Sequence, residues 1–258
     1  MIDFLLGISL VSGLMIFLFV ISIFSLLVYL TSHYFIKGQL QKNHEKVGRI
    51  LFRVSASLLG LILSITFANQ RVNYFSLKRS IEAEAATIVD IKVDIDLYDN
   101  EEAELIKEKL MEYVMHVSTD GWKSLQNDPF RSKAFVLFQD IYVSINHLEV
   151  QTPLQTRLKN NMLSDIDHLS DYLQVRLYSF REKSNPLIYT SVFGILGIMI
   201  LFSVYPPDKL TIGFLLIYVA FIGIVLYFIL MMSNPLKGPL MIEPGPFLLI
   251  KETIESKV

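Results

Sequence analysis

Four apolar blocks stand out from the polar background of this chain: Leu5–Leu30, which holds no charged residue, then Val54–Ala68, Leu187–Tyr205 and Leu210–Met232. A helix needs roughly 20 apolar residues to cross a bilayer core. The blocks therefore predict four transmembrane helices, two on each side of a long polar stretch whose apolar residues recur at helical spacing. The class is all-α: two spans in residues 1–68, a helical soluble domain in 69–185, two further spans in 186–232, and a Pro/Gly-rich segment in 233–258. No strand pattern and no internal repeat is present.

Within the polar stretch, Leu77, Ile81, Ala85, Ile88, Ile91 and Ile95 fall at steps of three and four, with charges on the other face. No proline falls between His44 and Tyr98 and only Gly48 and Gly60 interrupt the stretch, which, if continuous, makes one long helix reaching from the membrane into the soluble domain. A second helix starts at the acidic run Asp99–Glu102, suited to a helix N-terminus, and ends near Asp120-Gly121. Its apolar face is Leu105, Ile106, Leu110, Tyr113, Val114 and Val117. A third runs from about Pro129 to Glu149. A fourth begins at Thr152-Pro153 and carries a near-heptad seam of Leu154, Leu158, Met162, Ile166, Leu169, Leu173, Leu177 and Phe180. Pro186 opens the third span behind Asn185, and Pro206-Pro207 turns the chain between spans three and four.

Composition agrees with a membrane class: 52% of residues are hydrophobic and 19% charged. The overall charge of −2 offers no field for nucleic acid, which is not expected as a partner. Residues 70–185 hold 14 Lys/Arg and 19 Asp/Glu, a net −5, whereas Lys37, Lys42, Lys46, Arg49 and Arg53 against Glu45 leave the first loop at +4. The chain has no cysteine, which excludes disulfides, thiol catalysis and Cys-based metal sites. Its first residues lack the Lys/Arg of a signal peptide and no small-residue cleavage pattern follows, so the first span is read as retained.

The second span is the most informative. Arg53, Ser57, Gly60, Ser64, Ala68 and Arg71 share one face at steps of three or four. Small residues of this kind let transmembrane helices pack closely. The same face also suits a water-filled path in an oligomer, with arginines near its mouths and Phe67 as an apolar constriction. Gly7, Ser9, Ser12 and Gly13 in span one, and Ser191, Gly194 and Gly197 in span three, read as packing faces. No acidic residue interrupts any apolar block, which counts against a proton- or cation-coupled transporter.

Catalytic chemistry is not evident. Asp165 and His168 share a helix face as half of a carboxylate–histidine pair would, without a matching second half. Asp90, Asp94 and Asp96 lie close together with no calcium-loop spacing, and phosphate loops and hydrolase or zinc motifs are absent. Trp122 stands alone. No enzyme, no cofactor and no metal site is expected.

Val47-Gly48 before the second span, Phe67-Ala68-Asn69-Gln70-Arg71 at its end, and the helix Ile81-Glu82-Ala83-Glu84-Ala85-Ala86 resemble the bestrophin-like domain family of unknown function. So does the tail Asn234-Pro235-Leu236-Lys237-Gly238-Pro239-Leu240, with Glu243-Pro244 and Pro246-Phe247 after it. The resemblance implies a four-span helical protein distantly similar to bestrophins, which are oligomeric ion channels whose second span lines the pore. It does not carry calcium gating, because no acidic cluster follows the fourth span. The expectation is a homo-oligomeric ion channel of a bacterial inner membrane, with the lipid bilayer, further copies of the chain and inorganic ions as its partners. Its pore-lining candidates are Arg53, Ser57, Gly60, Ser64, Phe67, Ala68 and Arg71. The rival expectation is a non-conducting scaffold or sensor whose Leu154–Phe180 seam mediates assembly or docks a partner. On orientation the two lines diverge: the basic first loop favours a cytoplasmic loop one, and the resemblance implies the reverse.

Overall fold

Helix is the only regular structure among the described residues, as the lack of period-two alternation predicts. The computed structural model describes residues 2–38, 41–122, 133–179 and 186–255. They form α1 (Ile2–Leu6), α2 (Leu10–Ile36), α3 (Lys42–Tyr98), α4 (Glu101–His116), α5 (Lys133–His147), α6 (Pro153–Ser179), α7 (Pro186–Phe202), α8 (Lys209–Met232) and α9 (Gly245–Glu255). A π-helical turn, Val117–Gly121, continues α4 past the end expected from Asp120-Gly121. Pro129, Phe180 and Asn185 lie outside the described residues. The chain groups into two units, one drawn from Met1–Tyr74 and Lys183–Met241, the other from Phe75–Glu182 and Ile242–Val258.

Three helices, α2, α3 and α8, are long and apolar enough to cross a membrane. α7, the third apolar block, is a 17-residue helix, at the short end of the spanning range. The first apolar block differs from expectation because it is two helices rather than one. The chain breaks at Gly7–Ser9, and the Ser9 hydroxyl caps α2 by accepting from the Ser12 amide at 3.3 Å. Ser9 is thus a cap, and of the four small residues assigned to a packing face only Gly13 is buried.

In the first unit, Tyr29, Leu59, Leu63, Ile195, Met199 and Leu215 belong to one buried apolar cluster. Close approach of α2 and α8 depends on two glycines. A Cβ on Gly13 would strike the Tyr227 hydroxyl, and one on Gly223 would lie 2.7 Å from Leu18 Cδ2. Tyrosine hydroxyls inside apolar surroundings need acceptors. Tyr227 donates to the Leu10 carbonyl and Tyr29 to the Tyr205 carbonyl, each at 3.1 Å. Gln70, buried on α3, donates to the Ser233 hydroxyl, which in turn donates to the Ile229 carbonyl at 2.7 Å.

In the second unit the predicted stripe on α3 is the core: Leu77, Ile81, Ala85, Ile88, Ile91 and Ile95 are each at most 4% exposed. Burying each of the isoleucines or leucines contributes about 1.5–3 kcal/mol. α3 ends at Asp99, held at φ 52, a left-handed position that a short acid tolerates. The Asn100 side chain then caps α4 by accepting from the Ala103 amide at 2.7 Å. On α4, Leu105 is 60% exposed and does not join the face assigned to it. It precedes the buried Ile106 by one residue, a 100° turn that carries it out of the core. On α6, capped by Thr152, the seam from Leu158 to Leu177 is buried within this chain and Leu154 is exposed. The part of the seam from Leu158 to Leu177 therefore packs into the unit's own core.

Candidate functional site

Two places on α3 gather chemically distinctive residues, one in each unit. In the first unit, Arg53, Ser57, Gly60, Ser64, Ala68 and Arg71 are all exposed. On the other side of the same helix Leu59, Leu63, Thr66 and Gln70 are buried. The serine hydroxyls bond back into their own helix, Ser57 to the Arg53 carbonyl at 3.0 Å and Ser64 to the Gly60 carbonyl at 2.8 Å. Among the described residues neither hydroxyl bonds to a neighbouring helix. A Cβ on Gly60 would meet nothing within 4 Å. Phe67 differs from the other six, being half-buried against the first unit's core.

In the second unit, Glu84 of α3 and Arg176 of α6 are 0% and 1% exposed. Arg176 Nη2 lies 2.7 Å from Glu84 Oε1 and donates to Tyr113 Oη of α4 at 3.1 Å. Tyr113 Oη donates to the same carboxylate oxygen at 2.6 Å. The guanidinium is also flanked by the rings of Trp122 and Phe247, each 5.8 Å away, within cation–π range. Trp122 in turn donates from Nε1 to the Ile242 carbonyl at 3.1 Å. Glu84 Oε2 and Arg176 Nε are buried without a hydrogen-bond partner.

The electrostatics follow from this enclosure. Burial, and then the Glu84 charge, push the Tyr113 phenol well above its usual range, so it stays a proton donor. Burial alone would favour a neutral Arg176, but the Glu84 carboxylate and the Tyr113 oxygen outweigh it and raise its pKa. Five segments of the unit meet in one ion pair closed off from solvent. A sealed pair of this kind can tie helices together; it leaves no room for a substrate.

The acidic face noted in the sequence is real but open. Asp90, Asp94, Asn161, Ser164 and Asp165 line a cavity of about 300 Å³ between α3 and α6. Desolvation raises the Asp94 and Asp165 carboxyls, helped at Asp165 by the charges of Asp90 and Asp94. Among the described residues no three histidines or acids are grouped so as to hold a metal ion.

Glu84, Tyr113, Trp122, Arg176 and Phe247 were not expected as a group. Arg176 sits in the sequence beside the apolar seam residues Leu173 and Leu177, and Trp122 carries no motif. Of the motifs that carry the family resemblance, the Ile81–Ala86 helix supplies Glu84 and the tail supplies Phe247.

A family model described as Bestrophin-like domain matches residues 19–247 of the chain. No curated protein and no solved structure matches it.

Proposed function

Because the chain belongs to the bestrophin-like domain family, we propose that it is a homo-oligomeric membrane channel in which the α3 helices of several copies surround a central path. In this reading α2, the apolar part of α3, α7 and α8 are four spans, with the helices of residues 75–182 inserted between the second and third. The membrane is a bacterial inner membrane, where spanning proteins are helical rather than barrels.

The exposed stripe on α3 carries the proposal. Arg53 and Arg71 are 18 positions apart, about 27 Å along a helix at 1.5 Å per residue, close to the thickness of a hydrocarbon core of ~30 Å. Cations at both ends of a span, with only small or hydroxylated residues between them on that face, are costly against lipid tails. A water-filled axis shared with other copies removes that cost. The buried opposite face shows which side of α3 the chain itself covers.

The absence of cysteine makes the test direct. Single cysteines at Ser57, Gly60 and Ser64 are placed in purified protein in planar bilayers and treated with a charged thiol reagent. Current is expected to fall at all three, and to persist with a cysteine at Leu58, which is exposed off the stripe. No conductance under any salt gradient or pH would overturn the channel and leave a non-conducting scaffold. Equal block at Leu58 would remove α3 from the path.

A further inference from the structure

Where α2 ends, α3 begins and α7 gives way to α8, the first unit presents an unusual combination of free cations and bare aromatic rings. Tyr29 and the Tyr205 carbonyl, His33 Nδ1 and the Ser203 carbonyl (2.7 Å), and Arg49 over the Tyr205 ring (5.1 Å) place these ends side by side. Lys37, Lys46 and Lys209 are all exposed there. Two described acids stand near them in sequence, and both are already engaged. Glu45 pairs with Arg49 at 3.7 Å, and Asp208 caps α8 by accepting from the Thr211 amide at 2.7 Å. Among the described residues none of the three lysines has a carboxylate partner. Beside Lys37, Tyr34 is 80% exposed and Phe35 75% exposed, their rings packed edge to face at 5.8 Å.

We propose that this end of the unit is a docking surface for anionic phospholipid headgroups, with Lys37, Lys46 and Lys209 taking the phosphate charge and Tyr34 and Phe35 seated at the headgroup level. The occupant follows from three features together. α2 and α8 are apolar enough to span, so their ends lie at an interface. Aromatic rings at a span's end favour that interface. Unpaired lysines on flexible stems reach outward to the headgroups and give complementarity to a negative charge. A soluble anion would use the lysines but gain nothing from the rings. The proposal needs only that the chain resides in a membrane; it does not depend on conduction.

The test is competitive lipid binding to the full chain in nonionic detergent, read by native mass spectrometry with phosphatidylglycerol and phosphatidylcholine. The wild-type protein is expected to retain phosphatidylglycerol preferentially. Each cation near an anionic surface is worth about a fivefold change in affinity. The Lys37→Gln/Lys46→Gln/Lys209→Gln variant should therefore bind phosphatidylglycerol about a hundredfold more weakly and phosphatidylcholine unchanged. Replacing Tyr34 and Phe35 by serine should weaken both lipids. A control, Lys78→Gln/Arg79→Gln, should leave the preference intact. Equal retention of the two lipids by the wild type would overturn the proposal, as would an unaltered preference in the triple variant. Displacement of phosphatidylglycerol by millimolar inorganic phosphate would assign the lysines to a free anion instead and also refute the lipid surface. Conductance is not part of the readout, so failure of the channel reading leaves this result independent.

Discussion

Removing Arg176 should cost the second unit more than any other single exposed or buried polar change, and removing its partner as well should return much of the loss. Arg176→Met leaves Glu84 as a buried carboxylate with one oxygen facing only the Tyr113 hydroxyl. Breaking a buried pair in this way costs about 3–5 kcal/mol. Loss of the two flanking ring contacts adds about 1 kcal/mol. Glu84→Leu strands the guanidinium and should cost a similar ~3–5 kcal/mol. The double variant has no buried charge. It keeps one orphaned phenol, worth about 1–3 kcal/mol, and should fall far short of the sum of the singles. Trp122 is the only tryptophan and its ring touches the site. Urea unfolding of the full chain in detergent, followed by tryptophan fluorescence, therefore reports on this unit directly. Single variants costing under ~1 kcal/mol, the level of a surface pair, would refute the reasoning. So would a double variant whose cost equals the sum of the two.

Two further predictions use the same preparation. Asp165 has its carboxyl pKa raised in the folded protein by desolvation and by Asp90 and Asp94, against a smaller opposing effect of His168. An acid whose folded pKa is raised destabilises the fold at pH above that value, and the penalty fades as pH falls toward the unfolded value near 3.9. Asp165→Asn should accordingly raise the urea midpoint at pH 7 and make little difference at pH 4; a loss of stability at pH 7 would contradict this. Gly13→Ala drives a methyl into the Tyr227 hydroxyl and its bond to the Leu10 carbonyl. It should cost about 1–3 kcal/mol by thermal unfolding, whereas Gly197→Ala, with nothing within 4 Å, should be neutral or stabilising. Equal effects at the two glycines would deny the close approach of α2 and α8.

Periodicity read most of the helical framework correctly because burial in a helix is a repeating requirement. The α3 stripe from Leu77 to Ile95 is buried at every position assigned to it. The continuity of α3 followed from the absence of proline, and the Thr152-Pro153 start of α6 from capping chemistry. Periodicity failed where a signal was not periodic. The break at Gly7–Ser9 depends on one local cap inside an uncharged run, where hydropathy is blind to it. Leu105 and Leu154 sit near the starts of their helices, where the residues are apolar but rotated away from the core. Trp122 directly follows a π-helical turn and Phe247 lies in a short tail helix, neither long enough to show a face of its own.

The buried pair stands between these cases, since its members do lie in periodic stripes. Glu84 falls between Ile81 and Ile88 on the buried face of α3, and Arg176 falls beside Leu173 and Leu177 on that of α6. A charge in such a position must find an opposite charge on another buried face, because leaving it unpaired costs several kcal/mol. The other helices of the unit narrow the choice. The buried face of α5 is Ala134, Leu137, Phe138, Ile141 and Ile145, with no polar group. That of α4 is Ala103, Ile106, Leu110, Tyr113 and Val114, whose only polar atom outside the backbone is the Tyr113 hydroxyl. Elimination therefore leaves Glu84, Arg176 and Tyr113 to satisfy one another across 92 residues of chain. The physical rule that finds them is to treat a lone charge in an apolar stripe as a demand for a partner rather than as noise on the pattern.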